Sequence, residues 1–331
     1  MSISSKPARP PLFIVPRRVL GIALLLAGSL GGAAAPPAAE SAPLRAQPVA
    51  PNVWMVEGEA ALGTPANRNF ISNAGFVVTD DGVVVIDALG SPALGRELIA
   101  EIRRVTSQPI RWVVVTHFHA DHIYGLQAFK AIGASVIAHP AGRAYLQSET
   151  ARQRLEASRT TLAPWIDSAT TLVGADRWVD APETVLQVGS TELRLVHVGP
   201  AHTPEDLVVW LPKEHIVFGG DLVFRGRIPY VGQADSRGWI ASLDRLLGWQ
   251  PEIVVPGHGA LSRMPRADLE LTRDYLLHLR RTMGTAAREL EPFDDAYARA
   301  DWSRYEALPL FRAANRMNAY NTYLWMEQEP R

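Results

Sequence analysis

Residues 113–122 read VVVTHFHADH: an apolar, β-branched run that ends in three histidines and an aspartate between positions 117 and 122. Imidazoles and carboxylates crowded at a strand end cost free energy unless a cation holds them, so the stretch asks for a metal. A strand projects alternate residues to one side, which sends His117 and His119 together and turns Phe118 and Ala120 away. Asp121 then falls where a helix would start, and His122 follows in its first turn. The strand end thus offers two ligands to one ion and the turn offers two to a neighbour, a spacing that favours two metals.

Three further donors stand at the ends of apolar runs: His202 in HVGPAHTPED, Asp221 in VFGGDLVF and His258 in VVPGHG. Glycines beside the last two permit tight turns that aim a side chain into a cleft. The chain has no cysteine. Thiolate ligands, disulfides and a cysteine-borne lipid are therefore excluded, and any metal site is built from nitrogen and oxygen, which suits zinc and also iron or manganese.

The surrounding pattern supplies a scaffold. VWMVEG, NAGFVVT and GVVVIDALG are short strands separated by turn signals such as Asp80-Asp81-Gly82, as in an antiparallel meander. SPALGRELIAEIRRV carries a Ser91 cap and Pro92 at the first helical position, and leads into the strand IRWVVVT. A strand ASVIAHP and one long helix through AGRAYLQSETARQRLEASR follow. The second half repeats the theme: TVLQVGS with ELRLVHVG and DLVVWLP with HIVFGGD read as hairpins, RGWIASLDRLLGW as a helix and EIVVPG as a strand. Two strand-then-helix halves predict an α/β fold of two sheets packed face to face with helices outside. From about residue 265, RADLELTRDYLLHLRRTMGTAAREL and DAYARADWSRYEALPLFRAANRM read as helices.

The ordered set of a His-x-His-x-Asp-His run, then a distant His, Asp and His, resembles the metallo-β-lactamase superfamily over roughly residues 52–262, with every ligand position filled. The resemblance implies the αββα sandwich of two mixed β-sheets with helices on both outer faces and the site at one edge between the sheets. It also implies that His117, His119 and His202 hold a first metal, that Asp121, His122 and His258 hold a second, and that Asp221 bridges them. The chemistry implied is hydrolysis by a hydroxide shared between two Zn2+ ions, with Asp121 orienting it, acting on a small ester, thioester, lactone or amide. Members that open β-lactams usually carry Cys or Ser at the position of Asp221, whereas glyoxalase II-like hydrolases carry the bridging Asp. The alternatives are a β-lactamase and an iron-dependent oxidoreductase on the same scaffold. With its N-terminal segment, SNAGFVVTDDGVVVID and a tail ending RMNAYNTYLWMEQE, the chain is similar to exported metallohydrolases associated with quinoprotein systems.

Composition agrees with a small substrate. The chain of 331 residues is 47% hydrophobic, with a formal net charge of −1, so nothing draws it electrostatically to nucleic acid or to an anionic membrane. Lys6, Arg9, Arg17 and Arg18 precede VLGIALLLAGSL and a small-residue stretch, GGAAAPPAAESAP, the layout of a cleavable secretory signal that leaves no stable membrane anchor. The Arg17-Arg18 pair hints at the twin-arginine route. The expected division is a signal region at 1–42, a catalytic domain at 43–264 and a helical extension at 265–331 packed on the same domain, with the mature protein periplasmic or secreted. The pattern is silent on oligomeric state.

Other residues carry weaker expectations. The resemblance implies that Asp87, ending VVVID, lies close to the site and helps fix its loops, against the plainer account of a structural turn residue. Arg225, Arg227 and Tyr230, in a loop after Asp221, are candidates to grip a carboxylate or phosphate, against the plainer account of solvated loop charges. The segment EAALGTPANRN, residues 59–69, suits either a flap over the metals or an ordinary connection. His139 and His197 read as structural histidines on strands, and His215 and His278 as surface positions.

Overall fold

The meander closes as its turn chemistry dictates. β1 (Gln47–Ala50), β2 (Val53–Val56), β3 (Ala74–Thr79) and β4 (Gly82–Ile86) are antiparallel neighbours in that order. At the Asp80-Asp81 turn the Thr79 hydroxyl donates to the Gly82 carbonyl at 2.7 Å. This computed structural model describes residues 44–329, and the expected signal region at 1–42 lies outside the described residues.

Helix α1 (Pro92–Val105) starts at Ser91, whose side chain accepts the Leu94 N–H at 3.2 Å. This N-cap is of a kind that contributes about 1 kcal/mol. The helix returns the chain so that β5 (Ile110–Val114) lies parallel to β4. Two short helices, α2 (Ala120–Ile123) and α3 (Leu126–Ala131), then lead to β6 (Ser135–Ala138), again parallel.

The single long helix expected over 141–159 is two: α4 (Gly142–Leu146) and α5 (Glu149–Thr161). Ser148 divides them, because its hydroxyl accepts the Ala151 N–H at 3.1 Å and donates to the Tyr145 carbonyl at 2.7 Å. That pairing competes with continuing the helix. The short β7 (Arg177–Trp178) completes a seven-stranded mixed sheet in the order β1 to β7.

The second sheet contains both expected hairpins. β8 (Glu183–Val188) pairs with β9 (Thr191–His197), and β10 (Leu207–Leu211) with β11 (Ile216–Phe224). After α6 (Ser236–Gly248), β12 (Ile253–His258) joins parallel to β11, giving the order β12-β11-β10-β9-β8. Between the sheets lies an apolar layer that includes Val84, Ile86, Val114, Leu195, Val209, Phe218 and Val255. Outside the first sheet α1 and α3 bury Leu94, Leu98, Leu126 and Phe129. The result is the αββα sandwich.

The C-terminal helices share the core of the second sheet. On α7 (Pro265–Glu289), Leu269, Leu276, Leu279 and Met283 pack in one cluster with Trp239 and Leu243 of α6. The second helical stretch is interrupted: α8 (Phe293–Arg299) and α9 (Phe311–Gln328) flank a non-helical segment, residues 300–310. Pro309 in that segment has no N–H to give a helix. Among the described residues no helix is long and apolar enough to cross a membrane.

Candidate metal centre

The donors meet at one end of both sheets, beyond the end of β5, at the irregular stretch of β11 around Gly220 and at the end of β12. β5 ends at Val114, so the HFHADH motif begins in the loop beyond it; the His117 and His119 rings nevertheless come together edge to face, with centroids 4.7 Å apart. His119 caps α2, and His122 sits in its single turn. Asp221 lies in the middle of β11, and His258 ends β12. Close approach of these two strands requires glycine: Gly220 has φ of +50°, and a Cβ at Gly257 would overlap the Asp221 carboxylate.

The result is two groups of potential ligand atoms, each within 4.8 Å of one another: His117, His119, His202 and Asp221 in one, Asp121, His122 and His258 in the other. Asp221 reaches both. Its Oδ2 lies 3.6 Å from His117 Nε2, 3.4 Å from His202 Nε2 and 3.3 Å from His258 Nε2, and its Oδ1 lies 3.1 Å from His122 Nε2. Asp121 Oδ2 is 3.3 Å from His258 Nε2 and 3.6 Å from His122 Nε2.

The arrangement fits divalent cations on its own evidence. His117 Nε2 and His202 Nδ1 are buried without a hydrogen-bond partner, and His122 Nε2 and Asp221 Oδ1, 3.1 Å apart, have no other partner than each other; buried polar groups normally find one. His119 Nδ1 and His202 Nε2 point at each other across 3.0 Å. A donor set of imidazole and carboxylate without sulfur suits zinc, iron or manganese.

Electrostatics follow from burial. Burial holds His117 and His119 well below the ordinary histidine range, helped by His122 and His202 respectively, and brings His202 down to about 4. Neutral imidazoles are the form that ligates. His122 goes the other way: burial opposes its charge, but Asp221, Asp121 and Asp87 together raise it well above the usual value. Burial likewise opposes the charge on Asp221, yet His258, His122 and His117 hold that carboxyl well below the usual range.

Behind the donors stands a layer of braces. Asp87, at a φ of 61° just past β4, accepts the Thr116 N–H and hydroxyl, both at 2.8 Å, and pairs with His122 Nδ1 at 2.8 Å. His258 Nδ1 donates to the Ile71 carbonyl at 2.6 Å. Asn73, which carried no recognisable sequence signal, ties the sheets together by donating to Pro256 and Gly259 carbonyls at 2.8 and 2.7 Å. Asp206 holds the His202 loop by accepting the Thr203 N–H at 2.8 Å and its hydroxyl at 2.7 Å. Burial pushes the Asp206 carboxyl well up.

A cleft of about 440 Å³ opens beside the first group, lined by His119, His202, Phe118, Tyr145, Arg154, Glu205, Tyr230 and Asn321, among others. Of the three expected substrate contacts only Tyr230 lines it. Arg225 instead pairs with Asp268 of α7 at 2.8 Å. Arg227 is buried against Phe224, its Nη1 3.3 Å from His258 Nδ1. The loop's own sequence shows two cations but not the acidic and aromatic partners that remote elements bring to them. Arg154, Tyr145 and Asn321 come from α5, α4 and α9, elements whose sequence carries no sign that they border the site.

The remaining candidates are placed as follows. Residues 67–69 are buried rather than free to close over the cleft: Asn69 donates to the Gly90 carbonyl at 3.0 Å, Arg68 pairs with Glu97 at 2.5 Å, and Trp165 donates to the Pro65 carbonyl at 2.7 Å. His139 and His197 stack on each other at 3.6 Å, outside both donor groups. His215 is exposed, whereas His278, expected at the surface, is half-buried against Trp302 and Tyr305.

Comparison with known proteins agrees with this geometry. The family model described as metallo-beta-lactamase superfamily matches residues 67–258. A linear primary-alkylsulfatase of a Pseudomonas species is 24% identical over 243 residues, covering 62% of this chain and 45% of its own length. The chain thus spans about half of that relative. A metallo-beta-lactamase type 2 of a Bacillus species is 29% identical over 215 residues, covering 63% of this chain and 73% of its own. Among solved structures, a stereoselective inverting sec-alkylsulfatase from a Pseudomonas species superposes with a TM-score of 0.67 at 18% identity, over 85% of this chain and 50% of that one, a likeness of fold alone.

Proposed function

The chain belongs to the metallo-beta-lactamase superfamily, whose matched relatives are hydrolases by name, and from that premise we propose that it is an exported, binuclear zinc hydrolase of small esters, thioesters, lactones or amides. One observation carries the reading: five imidazoles and two carboxylates converge, with buried donor atoms left unpartnered, beside an open cleft. His117, His119 and His202 would hold one ion, Asp121, His122 and His258 the other, and Asp221 would bridge. Two divalent ions there would supply Lewis acidity and bring the pKa of water from 15.7 to about 7.

The chain's own groups do the rest. Asp121 is the more exposed of the two donor carboxylates, so its Oδ2 is the one placed to orient an attacking water and accept its proton. Asp87 fixes the His122 ring so that Nε2 faces the cluster. Tyr230, beside His119 and His202 with ring centroids 6.1 and 6.4 Å away, forms an aromatic wall that excludes water from one side of the substrate. Export rests on the basic, apolar and small-residue order of the first 42 residues, and zinc rests on a sulfur-free His/Asp donor set.

The test is metal analysis and turnover on the purified full chain, with and without chelator, using an ester, a thioester, a lactone, an alkyl sulfate and a chromogenic cephalosporin. About two zinc ions per chain and chelator-sensitive hydrolysis of the first three supports the proposal. Efficient opening of the cephalosporin would make it a β-lactamase instead. Stoichiometric iron with oxygen uptake would overturn the hydrolase assignment.

A further inference from the structure

Helix α5 carries three arginines, and they differ in their surroundings. Arg152 pairs with Glu149, and Arg159 with Glu156, each an exposed i,i+3 contact at 2.7 Å of the kind worth a few tenths of a kcal/mol. Arg154 has Thr150, Ala151, Ala157 and Ser158 at the same offsets, so its own helix offers it no acid. It is half-buried, makes no ion pair among the described residues, and lines the cleft together with His119 and His202. Among the described residues it is the only arginine or lysine that lines the cleft.

The rest of the wall suits a charged guest held by that cation. Tyr145, Thr150, Tyr230, Gln233 and Asn321 bring neutral hydrogen-bonding groups. Glu205, the one carboxyl among the described residues that line the cleft, is tied back by the Phe118 N–H at 3.1 Å and is 4% exposed. A half-buried guanidinium without a counter-ion, in a cleft with low-dielectric walls, favours an anion that presents two oxygens to its fork. The two arginines of the loop after Asp221 do not line the cleft: Arg225 pairs with Asp268, and Arg227 is buried against Phe224 and His258.

We propose that Arg154 is the anion-holding residue of the cleft, so that the substrate carries a compact oxyanion group, carboxylate, sulfate or phosphate, on the side of His119 and His202. The assignment rests on the hydrolase reading for the word substrate, but anion binding at Arg154 is measurable without turnover.

Two measurements on the zinc-loaded full chain test it. The first is calorimetric titration with hexane-1-sulfonate, hexanoate and hexyl phosphate. Arg154→Met is expected to weaken at least one of these roughly tenfold or more, the loss expected for a charge-assisted contact, with Arg154→Lys in between. The three probes rank the oxyanions against one another. The second is the ratio of kcat/KM for a carboxylate-bearing ester to that for its uncharged amide analogue. It should fall roughly tenfold in Arg154→Met, through KM, and recover in part in Arg154→Lys. A purely structural arginine would lower both substrates together and leave the ratio unchanged.

Unchanged affinity for all three anions in Arg154→Met, or an unchanged ratio, overturns the proposal. If the wild-type chain hydrolyses neither ester nor amide, the hydrolase reading fails by itself, and the titrations still decide whether Arg154 holds an anion.

Discussion

In the group formed by Asp121, His122 and His258, each imidazole hands its far nitrogen to a fixed acceptor: His122 to Asp87 at 2.8 Å, His258 to the Ile71 carbonyl at 2.6 Å. The group formed by His117, His119, His202 and Asp221 lacks such anchors. His117 Nδ1 meets only the Thr116 hydroxyl at 3.1 Å, His119 and His202 lean on each other, and His202 Nδ1 is buried without a partner. Packing against Trp239 and Phe224, with ring centroids 5.1 and 5.9 Å away, holds His202 instead. The second group is therefore oriented by fixed acceptors outside it before any cation arrives, whereas in the first His119 and His202 pair with each other at 3.0 Å, a contact that a cation would replace. Asp221 is the element common to both, and its removal is the severest test of whether they act as one centre.

In Asp221→Ala, zinc content should fall by at least one ion per chain and kcat/KM by roughly 10²–10³-fold or more, while far-ultraviolet circular dichroism stays native because the sheet core is apolar. Two ions retained with near-normal turnover would remove Asp221 from the bridging position. A milder change separates the groups. Asp87→Asn keeps the shape but weakens the acceptor directly behind His122 and, at one remove through the Thr116 hydroxyl, the support of His117, so chelator competition should show one ion held roughly 10–100-fold more weakly and the other weakened less. Equal weakening of both would mean that the two sets of braces are not independent.

How much of this was legible in the sequence depends on how local each constraint is. The HFHADH motif, the Ser91-Pro92 helix start and both hairpins announce themselves within a few residues, because capping, turn chemistry and β-branched runs act over that range. The donors beyond the motif were legible only as an ordered set: His202, Asp221 and His258 each look ordinary alone. The break between α4 and α5 at Ser148 turned on one side chain competing for two backbone groups, a contest that helical periodicity does not reveal. The cleft was misread where partners are remote in sequence. Arg225 looked free because Asp268 lies 43 positions away, and Arg227 because its neighbour His258 lies 31 away. Arg154 did leave a local trace, since Arg152 and Arg159 have acids at helical spacing and it has none, but nothing local says that α5 runs beside the metal centre.

A pair of imidazoles outside the centre gives the smallest and most specific contrast with those inside it. His139 and His197 stack at 3.6 Å with no carboxylate in hydrogen-bond reach of the His139 ring, whose Nδ1 accepts the Ala141 N–H at 3.3 Å and so carries no proton. Burial first, and His197 second, lower His139 to about 4 from an ordinary 6.5, with Asp180 acting weakly the other way. A histidine that is harder to protonate when folded binds fewer protons in the native chain than in the unfolded one. Its contribution to stability is therefore complete above about pH 6.5 and is lost as pH falls from 6.5 toward 4, by an amount on the order of 1–2 kcal/mol. His139→Phe keeps the stack and deletes the proton site, so urea unfolding at pH 7 and pH 5 should show a smaller loss in the variant than in the wild type. Equal losses would mean that the His139 proton affinity hardly changes on folding, and that the stack, unlike the histidines of the centre, leaves its imidazole open to water.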